Sequence, residues 1–341
     1  MPASTTPKIS VLVPCYNVAR FVAECLMSLK AQTLNDIEVI CLNDGSTDNT
    51  LALIRETVDD DPRFQIMDKP NSGYGATMNL GLKMARGEYI GIVESDDFVE
   101  TTMFEKLYSI AIEHELDIAR CCFNTLQDGR VKPNRCSFLP KDLTVDPKIA
   151  DNVFRHPPSI WAAIYRKDMI ERYGIRFMET PGAAYQDISF AFKTTLMAKR
   201  IRCISECLLN YRIHASNSVK KATNPFIVMD ELDECIRYAQ HHHAENIVSR
   251  VILDIEYATF KWNYLRLPQT EAHRFFEAWL KRWQKHAGYG RPFDVHHLNR
   301  FVHYLAVTRF PGQFEQYLLK KSQEALQNPI SERWGKQICL N

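Results

Sequence analysis

Apolar residues change their spacing in regular alternation over the first hundred positions. Ile9–Pro14 is an apolar run ending in proline, and Val18–Lys30 carries Phe21, Cys25, Leu26 and Leu29 at helical spacing. Ile37–Leu42 is a second apolar run, after which Thr50–Val58 reads as helix. Phe64–Met67 is a short strand, Thr77–Ala85 a helix with Met78, Leu82 and Ala85 on one face, and Tyr89–Val93 another strand. Strands apolar on both faces and separated by amphipathic helices imply a parallel sheet covered by helices. Ligands in such sheets sit beyond the carboxyl ends of the strands, so each strand should deliver its functional residues just after it ends.

Between about Asp117 and Val219 the pattern is irregular, interrupted by Pro133, Pro140, Pro147, Pro157 and Pro158. It reads as strands and loops that complete the first domain. After Pro225 helical spacing returns. Val228, Leu232, Cys235, Ile236 and Ala239 mark one helix, and Val248, Val251, Ile252, Ile255 and Trp262 a second. Ala272, Phe275, Phe276, Trp279, Leu280 and Trp283 mark a third, and Val295, Leu298, Val302 and Leu305 a fourth. The organisation expected is a catalytic α/β domain over 1–224, with halves at about 1–100 and 101–224, then a mainly helical region over 225–341.

Composition narrows the chemistry more than the fold. The 341 residues are 45% hydrophobic and 24% charged, which supports a sizeable core and excludes a disordered chain. Lysine and arginine number 42 against 41 acids, and the resulting charge of +1 argues against nucleic acid as a partner. Ten cysteines contain no C-x-x-C pair, so reduced, packed thiols are expected. Met1–Lys8 has no apolar signal core, and no run reaches the roughly 18 apolar residues of a membrane span. A cytoplasmic location is expected. Six of the 13 glycines (Gly45, Gly73, Gly75, Gly81, Gly87 and Gly91) fall between positions 45 and 91, where the backbone should turn tightly or approach a ligand.

The first strand delivers Pro14-Cys15-Tyr16-Asn17, and the second Asn43-Asp44-Gly45-Ser46-Thr47-Asp48. An acid directly after a buried strand, then a glycine turn, suits hydrogen bonding to a base or ribose; Asp48 and Thr50 could instead cap the next helix. Asn71-Ser72-Gly73-Tyr74-Gly75 before a helix resembles an anion cradle, although neither common phosphate-loop motif is present. The fourth strand runs into Glu94-Ser95-Asp96-Asp97, three carboxylates in four residues. Such a group repels itself unless a cation offsets it. Clustered oxygen ligands suit Mg²⁺ or Mn²⁺, which bind through one or two carboxylates and the substrate's phosphates.

Together with Gly87-Glu88-Tyr89-Ile90, these motifs resemble the family 2 glycosyltransferases of the GT-A fold, a Rossmann-like mixed sheet flanked by helices. The resemblance covers about the first hundred residues. It implies an inverting transferase that uses a nucleotide-activated sugar, usually a UDP-sugar, with Mn²⁺ or Mg²⁺. Asp44 matches the acid that recognises the nucleobase, and Asp96 the metal-binding acid of the family's D-x-D motif. Pro14, Tyr16, Asn17, Ser46, Asn71, Gly73, Asn79, Glu94 and Ser95 fall on the remaining donor-binding positions. Glu94 stands where aspartate is usual, and Met78-Asn79 where the family has Arg-Asn, so a phosphate-facing arginine is not carried over.

Tyr185-Gln186-Asp187-Ile188 resembles the family's Glu-Asp motif at the head of an acceptor-side helix over Ile188–Ala198. Asp187 then matches the catalytic base, with Gln186 replacing the acceptor-side glutamate; by residue type alone, Asp187 could equally be a helix cap. Tyr211-Arg212-Ile213-His214 resembles the segment that closes over the nucleotide, which makes His214 a candidate metal ligand and Arg212 a candidate to face the diphosphate. Trp161 is a candidate acceptor platform or a core residue. The expected partners are a UDP-sugar donor and a glycan or lipid-linked glycan acceptor of capsule, lipopolysaccharide or other surface-polysaccharide synthesis. Rival readings are a sugar nucleotidyltransferase, which should carry a glycine- and arginine-rich loop after the first strand, and a non-catalytic nucleotide-sugar binding protein. His241-His242-His243 points in three helical directions and is not expected to bind a metal. Lys261-Trp262 and Lys281-Arg282-Trp283 leave peripheral contact with the inner membrane face, or a homo-oligomer, as roles for 225–341.

Overall fold

The computed structural model describes residues 6–136, 140–214, 224–285 and 306–327. Its first half is β1 (Ile9–Cys15), α1 (Val22–Lys30), β2 (Ile37–Asp44), α2 (Thr50–Val58), β3 (Phe64–Lys69), α3 (Tyr74–Met84) and β4 (Tyr89–Ile92). β1 pairs in parallel with β2 and β4, and β2 with β3. Every residue of β1 and β2 is buried, as expected of strands covered on both faces. Two of them are acids, Glu38 and Asp44. Glu38 accepts hydrogen bonds from Ser10 Oγ at 2.5 Å and from the Arg86 N–H at 2.6 Å, and it pairs with the Arg86 guanidinium at 2.7 Å. This group fixes the turn into β4.

Two helices begin elsewhere than their apolar spacing indicates. α1 starts at Val22 instead of Val18, and the Val18 and Ala19 N–H groups ahead of it donate to Thr50 Oγ1 and Asp48 Oδ2, at 2.8 and 3.2 Å. α3 starts at Tyr74, inside the glycine segment, with the Thr77 N–H already bonded to the Gly73 carbonyl at 3.1 Å.

The second half comprises β5 (Phe98–Val99), α4 (Met103–Glu113), β6 (Ile118–Gln127), β7 (Arg130–Asn134), β8 (Thr144–Val145), β9 (Ala163–Arg166), α5 (Lys167–Arg172), α6 (Gln186–Met197) and β10 (Ile201–Arg212). The strand order is β3-β2-β1-β4-β9-β6-β10-β5, with β7 on β6 and β8 on β10. β9 runs antiparallel to both β4 and β6, so the sheet is mixed. Antiparallel pairing of β10 with β5 sets Asn210 beside Phe98. That register brings the last residues of β10 to the acidic segment after β4.

The chain forms two compact units, Met1–Ala150 with Pro158–Ala222, and Asp151–Pro157 with Thr223–Asn341. A single boundary at 224 would leave 151–157 in the sheet unit. The structure puts it with the helices, because Arg155 pairs with Asp254 at 2.7 Å and donates to the Arg250 carbonyl at 3.2 Å. The helical unit contains α7 (Ile227–His241), α8 (Glu245–Tyr264), α9 (Gln269–Lys285) and α10 (Pro311–Gln327). α10 escapes the apolar pattern, since only Phe314 and Leu318 of its early turns are buried; the helix expected over Val295–Leu305 lies outside the described residues. Trp279, Trp283, Phe275 and Phe260 form the aromatic core. Beside them Arg282 joins Glu256, which is fully buried, and Asp233, each at 2.6 Å.

Among the described residues no helix is long and apolar enough to cross a membrane. The nine described cysteines are all free, and Cys339 lies outside.

A Cβ on Gly75 would lie 1.8 Å from the Met178 carbonyl oxygen. Gly75→Ala should therefore cost about 1–3 kcal/mol through forced backbone shifts, read as a lower calorimetric melting midpoint. Gly312→Ala, whose Cβ meets open space, should not destabilise. Arg282→Ala removes the cation from Glu256 and should cost about 3–5 kcal/mol, measurable by urea titration.

Candidate active site

Asp44 ends β2 and is 5% exposed. Its Oδ1 accepts the Ser72 N–H at 2.9 Å and its Oδ2 the Gly73 N–H at 3.0 Å. Lys69 pairs with the same carboxylate and donates to Ser72 Oγ at 2.6 Å. Asn71 Nδ2 donates to the Asp44 carbonyl at 3.0 Å. Asp44 thus organises the whole 71–73 loop. A carboxylate offers about four lone-pair positions, and these three donors leave room for one more. Lys69 was not singled out by the sequence; its signal is the parallel register that sets Lys69 beside Asp44.

Asn17 and Ser46 stitch the loops after β1 and β2 together. Asn17 adopts φ +52°, a left-handed conformation asparagine tolerates. Its Oδ1 accepts the Thr47 N–H at 2.8 Å, and its N–H donates to Ser46 Oγ at 3.1 Å. Asp48 accepts the Thr50 N–H at 3.0 Å and so serves the start of α2. Tyr16 remains 50% exposed beside them.

After β4, the four residues of the acidic segment take different tasks. Ser95 is buried and its Oγ donates to the Pro14 carbonyl at 2.6 Å, so both expected donor-binding residues brace the backbone. Glu94 Oε1 accepts the Tyr74 hydroxyl at 2.7 Å. Burial pushes the Glu94 carboxyl up to about 8, opposed by the Tyr74 hydrogen bond and reinforced by Asp96 and Asp187. Asp97 is fully buried and accepts the Arg212 N–H at 2.8 Å; burial, then the Asp96 charge, holds it well above the usual carboxylate range.

The Arg212 guanidinium donates to the Asp96 carbonyl at 2.8 Å, pairs with Glu24 at 2.5 Å and lies 4.6 Å over the Phe98 ring. Glu24 and Phe98 hold it beside the acidic turn.

His214 Nε2 stands 2.9 Å from Asp96 Oδ2, its ring 4.6 Å from that of Phe21. Two ligands bound at about 2.1 Å and at right angles lie about 3.0 Å apart. The pair therefore fits one Mg²⁺ or Mn²⁺. Among the described residues no group of three or more metal-type side chains gathers, so a cation here would take its other ligands from phosphate and water.

Asp187 enters from the other half of the sheet. Tyr185, at φ +74°, turns the chain into α6, and Asp187 lies in its first turn. Strain of this kind is concentrated at functional sites. Burial pushes the Asp187 carboxyl up to about 7, although its own N–H and that of Ile188 favour the charged form. Burial, then the charges of Asp97, Asp96, Glu94 and Asp187, raises the Tyr211 hydroxyl, so all four carboxylates lie near it. Tyr74 and Tyr211 were missed in the sequence because only the folded sheet brings them there. Trp161 stacks on Tyr211, with centroids 5.1 Å apart and planes 15° apart.

Two further expected site residues have structural partners. Gln186 is 2% exposed, and its amide donates to Thr180 Oγ1 at 2.8 Å, bracing the loop before Asp187. Asn79 spends its amide on the Phe177 carbonyl at 3.0 Å and Glu179 Oε1 at 2.9 Å, while its Oδ1 accepts the Phe177 N–H. It clips two segments together. Gly73 keeps its place, at φ +88° against Asp44, and the Tyr74 N–H donates to the Gly182 carbonyl at 3.0 Å.

Residues 10–174 match the family model described as Glycosyl transferase family 2. Over 232 residues the chain is 33% identical to the uncharacterized glycosyltransferase EpsJ of Bacillus subtilis (strain 168), covering 66% of either protein. Over 99 residues it is 42% identical to the chondroitin synthase of Pasteurella multocida (strain Pm70), 29% of this chain and 10% of that one. The chain matches at most 66% of the length of the curated relatives it resembles over the longest spans. The crystal structure of S. aureus TarS 1-349 in complex with UDP-GlcNAc superposes with a TM-score of 0.62 at 20% identity, covering 89% of this chain and 91% of that one. The mixed sheet and its helices are thus the GT-A fold, and the chain belongs to glycosyl transferase family 2.

Proposed function

We propose that the chain is an inverting glycosyltransferase that moves a sugar from a UDP-sugar to a hydroxyl of a glycan acceptor in surface-polysaccharide synthesis. The observation that carries this reading is Asp187, a half-buried carboxylate raised to about 7, near the same Tyr211 hydroxyl as Asp96, which His214 contacts. A general base works best with a pKa near the operating pH. The likeness to TarS, whose crystal holds UDP-GlcNAc, supports a UDP-sugar, and the likeness to a chondroitin synthase supports a polysaccharide product. The one lone pair left on Asp44 suits a single N–H, such as that of the uracil imide.

Asp187 takes the proton from the acceptor hydroxyl as its oxygen attacks the anomeric carbon from the face opposite the diphosphate. The new C–O bond forms, the bond to phosphate breaks, and the electron pair leaves with UDP. A divalent cation at Asp96 and His214 would supply Lewis-acid stabilisation of the charge on the diphosphate. Trp161, backed by Tyr211, offers an aromatic face to the acceptor sugar. Asp187 and the Asp96–His214 pair favour catalysis over a non-catalytic binding role.

Asp187→Asn should lower kcat by about 10²–10⁴-fold while titration calorimetry still shows UDP-sugar binding; unchanged turnover would overturn the assignment. The wild-type rate should climb with pH and level off above about 7, as Asp187 loses its proton. Stability moves oppositely. Folding raises this pKa, so the fold is favoured while Asp187 is protonated and loses stability as pH rises from the unfolded value toward about 7. Asp187→Asn should melt above the wild type at about pH 8, with the gap shrinking toward about pH 5. Asp96→Ala should abolish the Mn²⁺-dependent part of UDP binding, measured with and without EDTA.

A further inference from the structure

We propose that the outer flank of α3 carries a subsite for an acidic glycan chain, the part of the acceptor that lies away from the reacting hydroxyl. The inference rests on the transferase reading above. A groove of about 510 Å³ runs between one face of α3 and the segment 176–179, within the size range of ligand sites, roughly 300–1,000 Å³. Ala76, Asn79, Leu80 and Lys83 recur at helical spacing along its α3 wall.

The charges of the groove are unbalanced. Lys83 and Arg176 are both exposed. Among the described residues neither is joined to an acid, and Arg176 Nη1 donates only to the Ile175 carbonyl, at 2.8 Å. The single acid of the lining, Glu179, is engaged by the Asn79 amide at 2.9 Å. Two cations thus face the groove against one carboxylate already held. Leu80 and the edge of Phe177, which stacks on Phe190 with centroids 4.1 Å apart, give it an apolar floor. A lining that combines two cations with apolar side chains complements a chain of sugar rings that bear carboxylates.

Its position connects it to the chemistry. Gly75, at the head of α3, lies against Met178, and Tyr74 is bonded to Gly182. The groove therefore starts where the donor loop meets the segment that continues into Asp187. A glycan whose end is seated at Trp161 and Asp187 could leave the site along this flank.

The test uses the full chain and calorimetric titration with a hyaluronan tetrasaccharide as acidic probe and chitotetraose as neutral probe. The acidic probe should bind in roughly 20 mM salt and weaken in roughly 0.5 M salt. The Lys83→Ala/Arg176→Ala double variant should bind it about tenfold more weakly, and Lys83→Glu/Arg176→Glu should abolish binding. Hydrolysis of UDP-GlcNAc should be unchanged in both, since neither residue belongs to the catalytic set. Equal binding by wild type and variants, equal binding of chitotetraose, or binding only to phosphatidylglycerol vesicles overturns the proposal. Absence of hydrolysis with every UDP-sugar in the wild type would instead remove the transferase reading, while the binding comparison still reports on the groove.

Discussion

Four carboxylates, Glu94, Asp96, Asp97 and Asp187, lie close enough to act on the same Tyr211 hydroxyl, and their mutual repulsion is a constraint on the groups around them. The Arg212 charge, shared with Glu24 and the Asp96 carbonyl, offsets part of it at Asp97. Glu94 is offered the Tyr74 hydroxyl, Asp97 the Arg212 N–H, and Asp96 the imidazole of His214. Burial then leaves Glu94 and Asp187 partly protonated near neutral pH. So many acids in one place disfavour a second full negative charge among them.

The donor side and the base side are mechanically joined. Asp44 holds the 71–73 loop by its amides; that loop leads into Gly75, pressed on Met178, and Tyr74, bonded to Gly182. Asn79 adds a second clip at Phe177, and Gln186 ties the following loop to α6. The positions of Asp44 and Asp187 are therefore linked by one run of contacts. Much of what resembles a binding motif in this stretch also holds the segments together.

The alternation of apolar runs showed the parallel half of the sheet, because a strand buried on both faces cannot be written in polar residues. It did not show β9, four residues whose antiparallel placement between β4 and β6 depends on partners far along the chain. Asp44, Asp96 and Asp187 could be singled out because each stands at or near an element end. Lys69, Tyr74 and Tyr211 were not, since their roles come from register and from contacts across the sheet. Arg212 and Asn79 were legible as motif positions but not in their engagements, which Glu24 and Phe177 determine.

The excursion of Asp151–Pro157 into the helical unit means that the chain passes between its two units three times. Arg155 must find Asp254, about a hundred residues later in synthesis, before the strap is complete. The helical unit is consequently not a removable tail. A chain cut after 222 would keep the strap but lose its anchor, leaving Val153 and Phe154, both buried in the intact protein, without their packing partners. A fragment beginning at 223 would lack the strap altogether. The two units share a folding history even though each has its own core.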